Sequence, residues 1–202
     1  IIPCRNNVKY LKQAINSIED CYGDTHNIII LDDASTDGTW EWVQLMEDNH
    51  PYIKSYRNEG PERVGHTVLY DIGINMAQTP VVTILHSDMI VTQNYVGNML
   101  KNLTPLSVVS ATRIEPPLHP PGPEKYVKDF GMEPETFDTD AFKNLYMKPN
   151  MRWKVKQLKV YLHLGCYTKK ISEIWVGMIN CLHLWSWKIL IYSIDFIYVI
   201  TN

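Results

Sequence analysis

Apolar residues in the first half of the chain fall into two alternating kinds of segment. Ile28 to Leu31 and Val81 to Leu85 are short runs that are mostly β-branched and almost unbroken. Strands buried on both faces of a parallel sheet read this way, because neither face meets water. Ile1-Ile2 reads as the end of another buried strand, closed by Pro3-Cys4-Arg5-Asn6-Asn7, and Ile53 to Arg57 as a further short one. Between these runs, apolar positions recur every three or four residues. Tyr10, Leu11, Ala14, Ile15 and Ile18 predict an amphipathic helix with Asn6 or Asn7 as its N-cap. A second helix is predicted from about Thr39 to Asn49, with Ser35 and Asp37 as caps. A third covers Val68 to Ala77 and stops at Thr79-Pro80, and a fourth covers Asn94 to Leu103. Val108 to Thr112 predicts one more strand. Strands alternating with helices of about ten residues predict βαβ units, hence an α/β fold with a mostly parallel sheet.

The pattern changes twice. The prolines between Glu115 and Pro123 are too dense for a helix or a central strand, so a surface loop or hinge is expected there. Glu124 to Asn150 is expected to form a lid or a short helix over the site. From Ile174 to Ile200 the chain is apolar and rich in Trp and Ile, without a helical or strand period. Its length suits a membrane span, but Lys188 and Asp195 would be costly inside one. The expected organisation is a binding subdomain over 1–112, a loop and lid over 113–150, and an atypical tail over 151–202.

Composition narrows the function. In 202 residues, 45% hydrophobic and 20% charged content is ordinary for a globular chain. A formal net charge of -3 argues against a dedicated nucleic-acid binder. Cys4, Cys21, Cys166 and Cys181 form no CxxC pair, so reduced thiols in the cytoplasm are expected, with membrane association left open by the tail. The chain opens in mid-strand without Met or a signal peptide, and its first few residues are expected to be missing.

Two apolar strands end in acids, Asp32-Asp33 and His86-Ser87-Asp88. Open α/β sheets bind ligands just beyond the carboxyl ends of their strands. A diphosphate needs a divalent cation, and hard cations prefer oxygen ligands. Asp88 is the natural ligand, with His86 on the same side of an extended segment. The bland alternative is that Asp88 caps the next helix; Asp33 on a neighbouring strand end favours the ligand reading. Asp33 to Gly38 faintly mimics a calcium loop, but Gln44 stands where such a loop closes with Glu.

Three motifs, Ile1-Ile-Pro-Cys-Arg-Asn-Asn, Leu31-Asp-Asp-Ala-Ser-Thr-Asp-Gly-Thr and Leu85-His-Ser-Asp-Met, fall in order on three strand ends. Over about residues 1–112 the chain resembles family 2 glycosyltransferases. The resemblance implies a GT-A, Rossmann-like three-layer sandwich, here incomplete at both ends. It implies that Pro3, Cys4 and Arg5 border the nucleotide, that Asp32 and Asp33 belong to the binding set with Asp33 on the base, and that Asn58, Arg63 and Ser87 approach the donor. It further implies that Asp88, with His86, holds Mn²⁺ or Mg²⁺ on the diphosphate of a nucleotide-sugar. The family's metal motif is commonly Asp-x-Asp; with His86 in the first position, the imidazole either ligates Mn²⁺ or contacts phosphate.

Inverting members place a general base in the C-terminal half, often in a Trp-Glu-Asp-like run. This chain reads Trp185-Ser-Trp-Lys-Ile-Leu190. After about Met147 to Gln157 an out-of-frame translation is therefore expected. With codons regrouped by one base, Trp175-Val176 must give Gly, Met178-Ile179 Asp, and Trp187-Lys188 Glu, while Lys188-Ile189 can give a following Asp. A membrane anchor or an odd buried segment are the rival readings of the tail. The function expected is sugar transfer to an unknown acceptor, inverting by resemblance and impaired as the chain is written; a non-catalytic nucleotide-binding or structural domain is the alternative.

Overall fold

The computed structural model describes residues 1–104, 107–117, 125–147, 156–159 and 196–199. In chain order the elements are β1 (Ile2–Cys4), α1 (Val8–Tyr22), β2 (Ile28–Asp33), α2 (Thr39–Asn49), β3 (Ile53–Asn58), α3 (Gly65–Met76) and β4 (Val81–Ile84). They continue with α4 (Tyr95–Lys101), β5 (Ser107–Ser110), β6 (Arg113–Glu115), β7 (Lys125–Val127), a 3₁₀ turn (Pro134–Thr136), α5 (Thr139–Tyr146), β8 (Lys156–Lys159) and β9 (Phe196–Val199).

β2 lies between β1 and β3, parallel to both, in a register that pairs Cys4 with Asp32 and Asp33 with Asn58. Two hydrogen bonds join β1 to β4: Ile1 N donates to the Thr83 carbonyl at 2.8 Å, and Leu85 N to the Ile1 carbonyl at 3.0 Å. That offset is a parallel one, so β4 continues the sheet beside β1. Beyond it the order is β4-β9-β5-β8, with each strand antiparallel to its neighbour. β6 and β7 form a separate parallel pair.

Side chains of β2 alternate between two cores, which is why its apolar run is unbroken. Ile28 and Ile30 pack with Leu11 and Ile15 of α1 and Val43 of α2. Ile29 and Leu31 pack on the opposite face with Leu69 of α3, beside Ile72 and Met76. The result is three layers with the sheet in the middle. Leu11, Ile15, Ile30, Leu31, Ile53 and Leu69 are fully buried, each worth roughly 1.5–3 kcal/mol relative to exposure.

Several boundaries differ from the sequence pattern for physical reasons. Pro3 and Cys4 lie inside β1 instead of closing it. Ile1 directs its N–H towards β4, and Pro3, two residues on, faces the same way where β4 has already ended. The missing proline N–H therefore costs no ladder bond. α3 starts at Gly65, three residues before its apolar period begins, because a carboxylate distant in sequence accepts its first amide. Ser35 does not cap α2; its hydroxyl accepts from Asn6 N at 2.9 Å. Asp37 does serve that end, accepting from Thr39 N at 3.1 Å.

The 125–147 segment contains β7 and the short helix α5, whose Phe142 packs edge-on against Phe130, Phe137 and Tyr146. Glu133 accepts from Lys9 Nζ and from Tyr10 Oη, tying this segment to α1. β8 falls within the 151–202 tail, and β9 within its stretch read as aperiodic. Trp185 to Leu190, with the out-of-frame and membrane-anchor readings, lies outside the described residues. No helix among the described residues is long and apolar enough to cross a membrane.

Candidate active site

The carboxyl ends of β1 and β4 are neighbours, so the loops that follow them face one cleft. Its volume is about 390 Å³, and Pro3, Cys4, Arg5, Arg63, His86, Ser87 and Asp88 all line it. Seven of the ten residues singled out in the sequence thus meet in one place. Asn6, Asn7 and His66 line it too, though none was expected among the binding residues from the sequence. Asn6 and Asn7 read there as helix caps, and Gly65-His66-Thr67 precedes any apolar period.

Asp32, Asp33 and Asn58 stand behind this cleft. Asp32 is fully buried; its Oδ2 accepts from Ser35 N at 3.1 Å and lies 3.8 Å from Arg57 Nε. Its role here is to close the turn after β2. Asp33, also buried, accepts on Oδ1 from Asn58 Nδ2 at 2.8 Å and Val64 N at 3.0 Å, and on Oδ2 from Gly65 N at 3.1 Å. Burial alone would raise its carboxyl pKa. The hydrogen bonds from Val64, Asn58 and Gly65, with the charge of Arg5, outweigh that and hold it below the usual range. Gly65 sits at φ +80, a backbone shape that L side chains rarely adopt, while its N–H reaches Asp33. One buried carboxylate thereby fixes the loop that presents Arg63 and His66. Arg5 is tethered as well, donating from a guanidinium nitrogen to the Asp33 carbonyl at 3.2 Å.

On the β4 side, Ser87 is buried and its hydroxyl accepts from Asn7 Nδ2, which fastens the 86–88 turn to the start of α1. Asp88 is exposed in the cleft. His86 Nε2 lies 3.3 Å from the Tyr70 hydroxyl, and its ring meets that of His66 edge-on at 5.5 Å. Burial lowers the His86 pKa, Asp88 pulls it back up, and His66 and Arg113 add to the lowering. The imidazole is therefore neutral at pH 7 and offers a lone pair.

Among the described residues no group of three or more His, Cys, Asp or Glu side chains converges to hold a metal ion. Asp88 and His86 supply two donors of compatible chemistry. The Asp88 carboxylate suits Mn²⁺ or Mg²⁺, whereas the His86 imidazole suits Mn²⁺ better than Mg²⁺.

Glycosyltransferase GlyG of Streptococcus pneumoniae serotype 4 is 29% identical over 105 residues, covering 51% of this chain and 34% of GlyG. TarS 1-349 of S. aureus, solved in complex with UDP-GlcNAc, shares the fold at a TM-score of 0.50 with 19% identity, over 60% of this chain and 36% of that one. The mannosyltransferase PcManGT of Pyrobaculum calidifontis, solved with GDP-Man and Mn²⁺, gives a TM-score of 0.47 at 21% identity, over 54% and 32%. The chain spans about a third of the length of these relatives. The model of glycosyl transferase family 2 matches residues 1–151, about three quarters of the sequence, and the chain belongs to that family.

Proposed function

We propose that the cleft between the β1 and β4 ends binds a nucleotide-diphospho-sugar and that the protein transfers the sugar to an acceptor hydroxyl. The observation that carries this reading is the convergence of Arg5, Arg63, His86 and Asp88 on one cleft. Two guanidinium groups suit phosphate oxygens, and the neighbouring carboxylate and imidazole suit a cation on the same phosphates. The UDP-GlcNAc held by the TarS relative supports the donor class.

In this reading Arg5 and Arg63 flank the diphosphate, and Pro3 and Cys4 form the floor under the nucleoside. Asp33, behind the cleft, holds Arg63 in place through Val64 and Gly65. Asn58 secures Asp33, Asp32 shapes the turn behind it, and Ser87 orients the 86–88 turn. A divalent cation, Mn²⁺ or Mg²⁺, held by Asp88 beside His86 would neutralise charge on the departing diphosphate. In the transfer the acceptor oxygen bonds to the anomeric carbon and the C–O bond to the diphosphate breaks. The diphosphate leaves with the electron pair and the hydroxyl proton passes to a base.

Calorimetric titration of the full chain with UDP and Mn²⁺ tests the donor site. Binding that weakens tenfold or more in Asp88→Ala is expected, since one charge-assisted ligand is lost. Equal, weak heats for both proteins would contradict it and favour a structural domain.

A further inference from the structure

A second cavity, of about 1020 Å³, opens beside the donor cleft and shares Asn7 and Asp88 with it. It lies between α1, the segment around α4, β6 and the 131–147 segment. Six uncharged carboxamides line it: Asn7, Gln13, Gln93, Asn94, Asn98 and Asn102. Each carboxamide offers both a donor and an acceptor, which is what a hydroxyl needs opposite it. Tyr10, Phe137 and Tyr146 supply aromatic surface to the same cavity, suited to the C–H faces of sugar rings.

The charge of the lining decides between ligand classes. Among its described residues the charged ones are Asp88, Glu115, Glu133 and Arg113, three carboxylates to one guanidinium. Arg113 pairs with Glu115 at 3.1 Å. A phosphate or uronate entering here would meet an excess of negative charge, whereas a neutral polyol would not.

We propose that this cavity binds a neutral oligosaccharide of two or more sugar rings, the acceptor whose hydroxyl approaches the donor past Asp88. The assignment as acceptor rests on the donor-site reading; the binding of a neutral saccharide does not. The volume exceeds what one ring needs and matches sites for larger organic ligands.

The test is saturation-transfer NMR on the full chain with maltotriose, chitotriose and xylotriose, against trigalacturonate and ribitol phosphate. At least one neutral trisaccharide should bind, and affinity should fall about tenfold in the Gln13→Ala/Asn98→Ala double variant, whose thermal melt serves as the fold control. No binding by any neutral probe, equal or better binding of an anionic one, or full binding by the double variant would each overturn the proposal. UDP calorimetry on the same samples separates the two readings. Loss of UDP binding with saccharide binding intact counts only against the donor site, and the reverse only against the saccharide site.

Discussion

Asp33 is a buried carboxylate that accepts three hydrogen bonds from a loop 25 to 32 residues away. Its folded pKa lies below the ordinary value, because those bonds outweigh the burial that opposes them. A depressed folded pKa gives stability that is complete above the unfolded pKa of about 3.9 and is lost as pH falls through the folded value. Thermal melts between about pH 5 and 3 should therefore show a steeper fall for the parent than for Asp33→Asn; equal slopes would mean the carboxylate is not held as described. Cys4 offers a second check at this scale. Burial first, then the charges of Asp32 and Asp37 and the contact with Asp32, push its thiol pKa upward. Cys4 should stay unmodified by iodoacetamide at mildly alkaline pH in the folded chain and react once denaturant is added. Alkylation of Cys4 in the native protein would contradict its placement in the core.

At the level of elements, Asp37 and Gly73 carry much of the arrangement around the site. The Asp37 carboxylate accepts from Thr39 N at the start of α2 and from Val8 N, at 3.3 Å, at the start of α1. Asp37→Ala should cost about 1 kcal/mol in urea unfolding, the usual loss for a helix cap. Gly73 lets α3 approach the sheet: a Cβ there would lie 2.5 Å from Ile1 Cγ2 and 2.9 Å from Leu31 Cδ1. Gly73→Ala should therefore destabilise by roughly 1–3 kcal/mol despite the better helix propensity of Ala. An unchanged or raised unfolding midpoint would mean the helix sits farther from the sheet. The apolar runs were enough to predict β2, β4 and α2 from the pattern alone, with α2 ending at Asn49 as expected. The start of α3 was not legible, since its first amide bonds to Asp33, and only the folded sheet brings the two together. β6 and β7 were equally hidden, being three residues each with no period to read.

For the molecule as a whole, the order of strands decides which loops meet. The sequence could show that three strands end in polar motifs; it could not show that β1 adjoins β4 while β2 stands one strand further away. That order separates the predicted residues. Those at the ends of β1 and β4, with Arg63 from the loop before α3, open onto the cleft, whereas Asp32, Asp33 and Asn58 support it from behind. His66 joins the cleft through the loop Asp33 holds, a long-range effect with no local signature. The neighbouring carboxamide-lined cavity arises in the same way, from segments separated by more than a hundred residues in the chain.

The central claim is that a nucleotide diphosphate and a divalent cation share the cleft at Asp88. Amide-resolved NMR with UDP and substoichiometric Mn²⁺ tests it most directly, because the paramagnetic ion broadens only nearby resonances. Broadening centred on residues 86–88, with 5–7 and 63–66 next, dependent on UDP and abolished in Asp88→Ala, is the result predicted. Broadening that needs no UDP, that survives Asp88→Ala, or that centres on another part of the molecule would contradict the account.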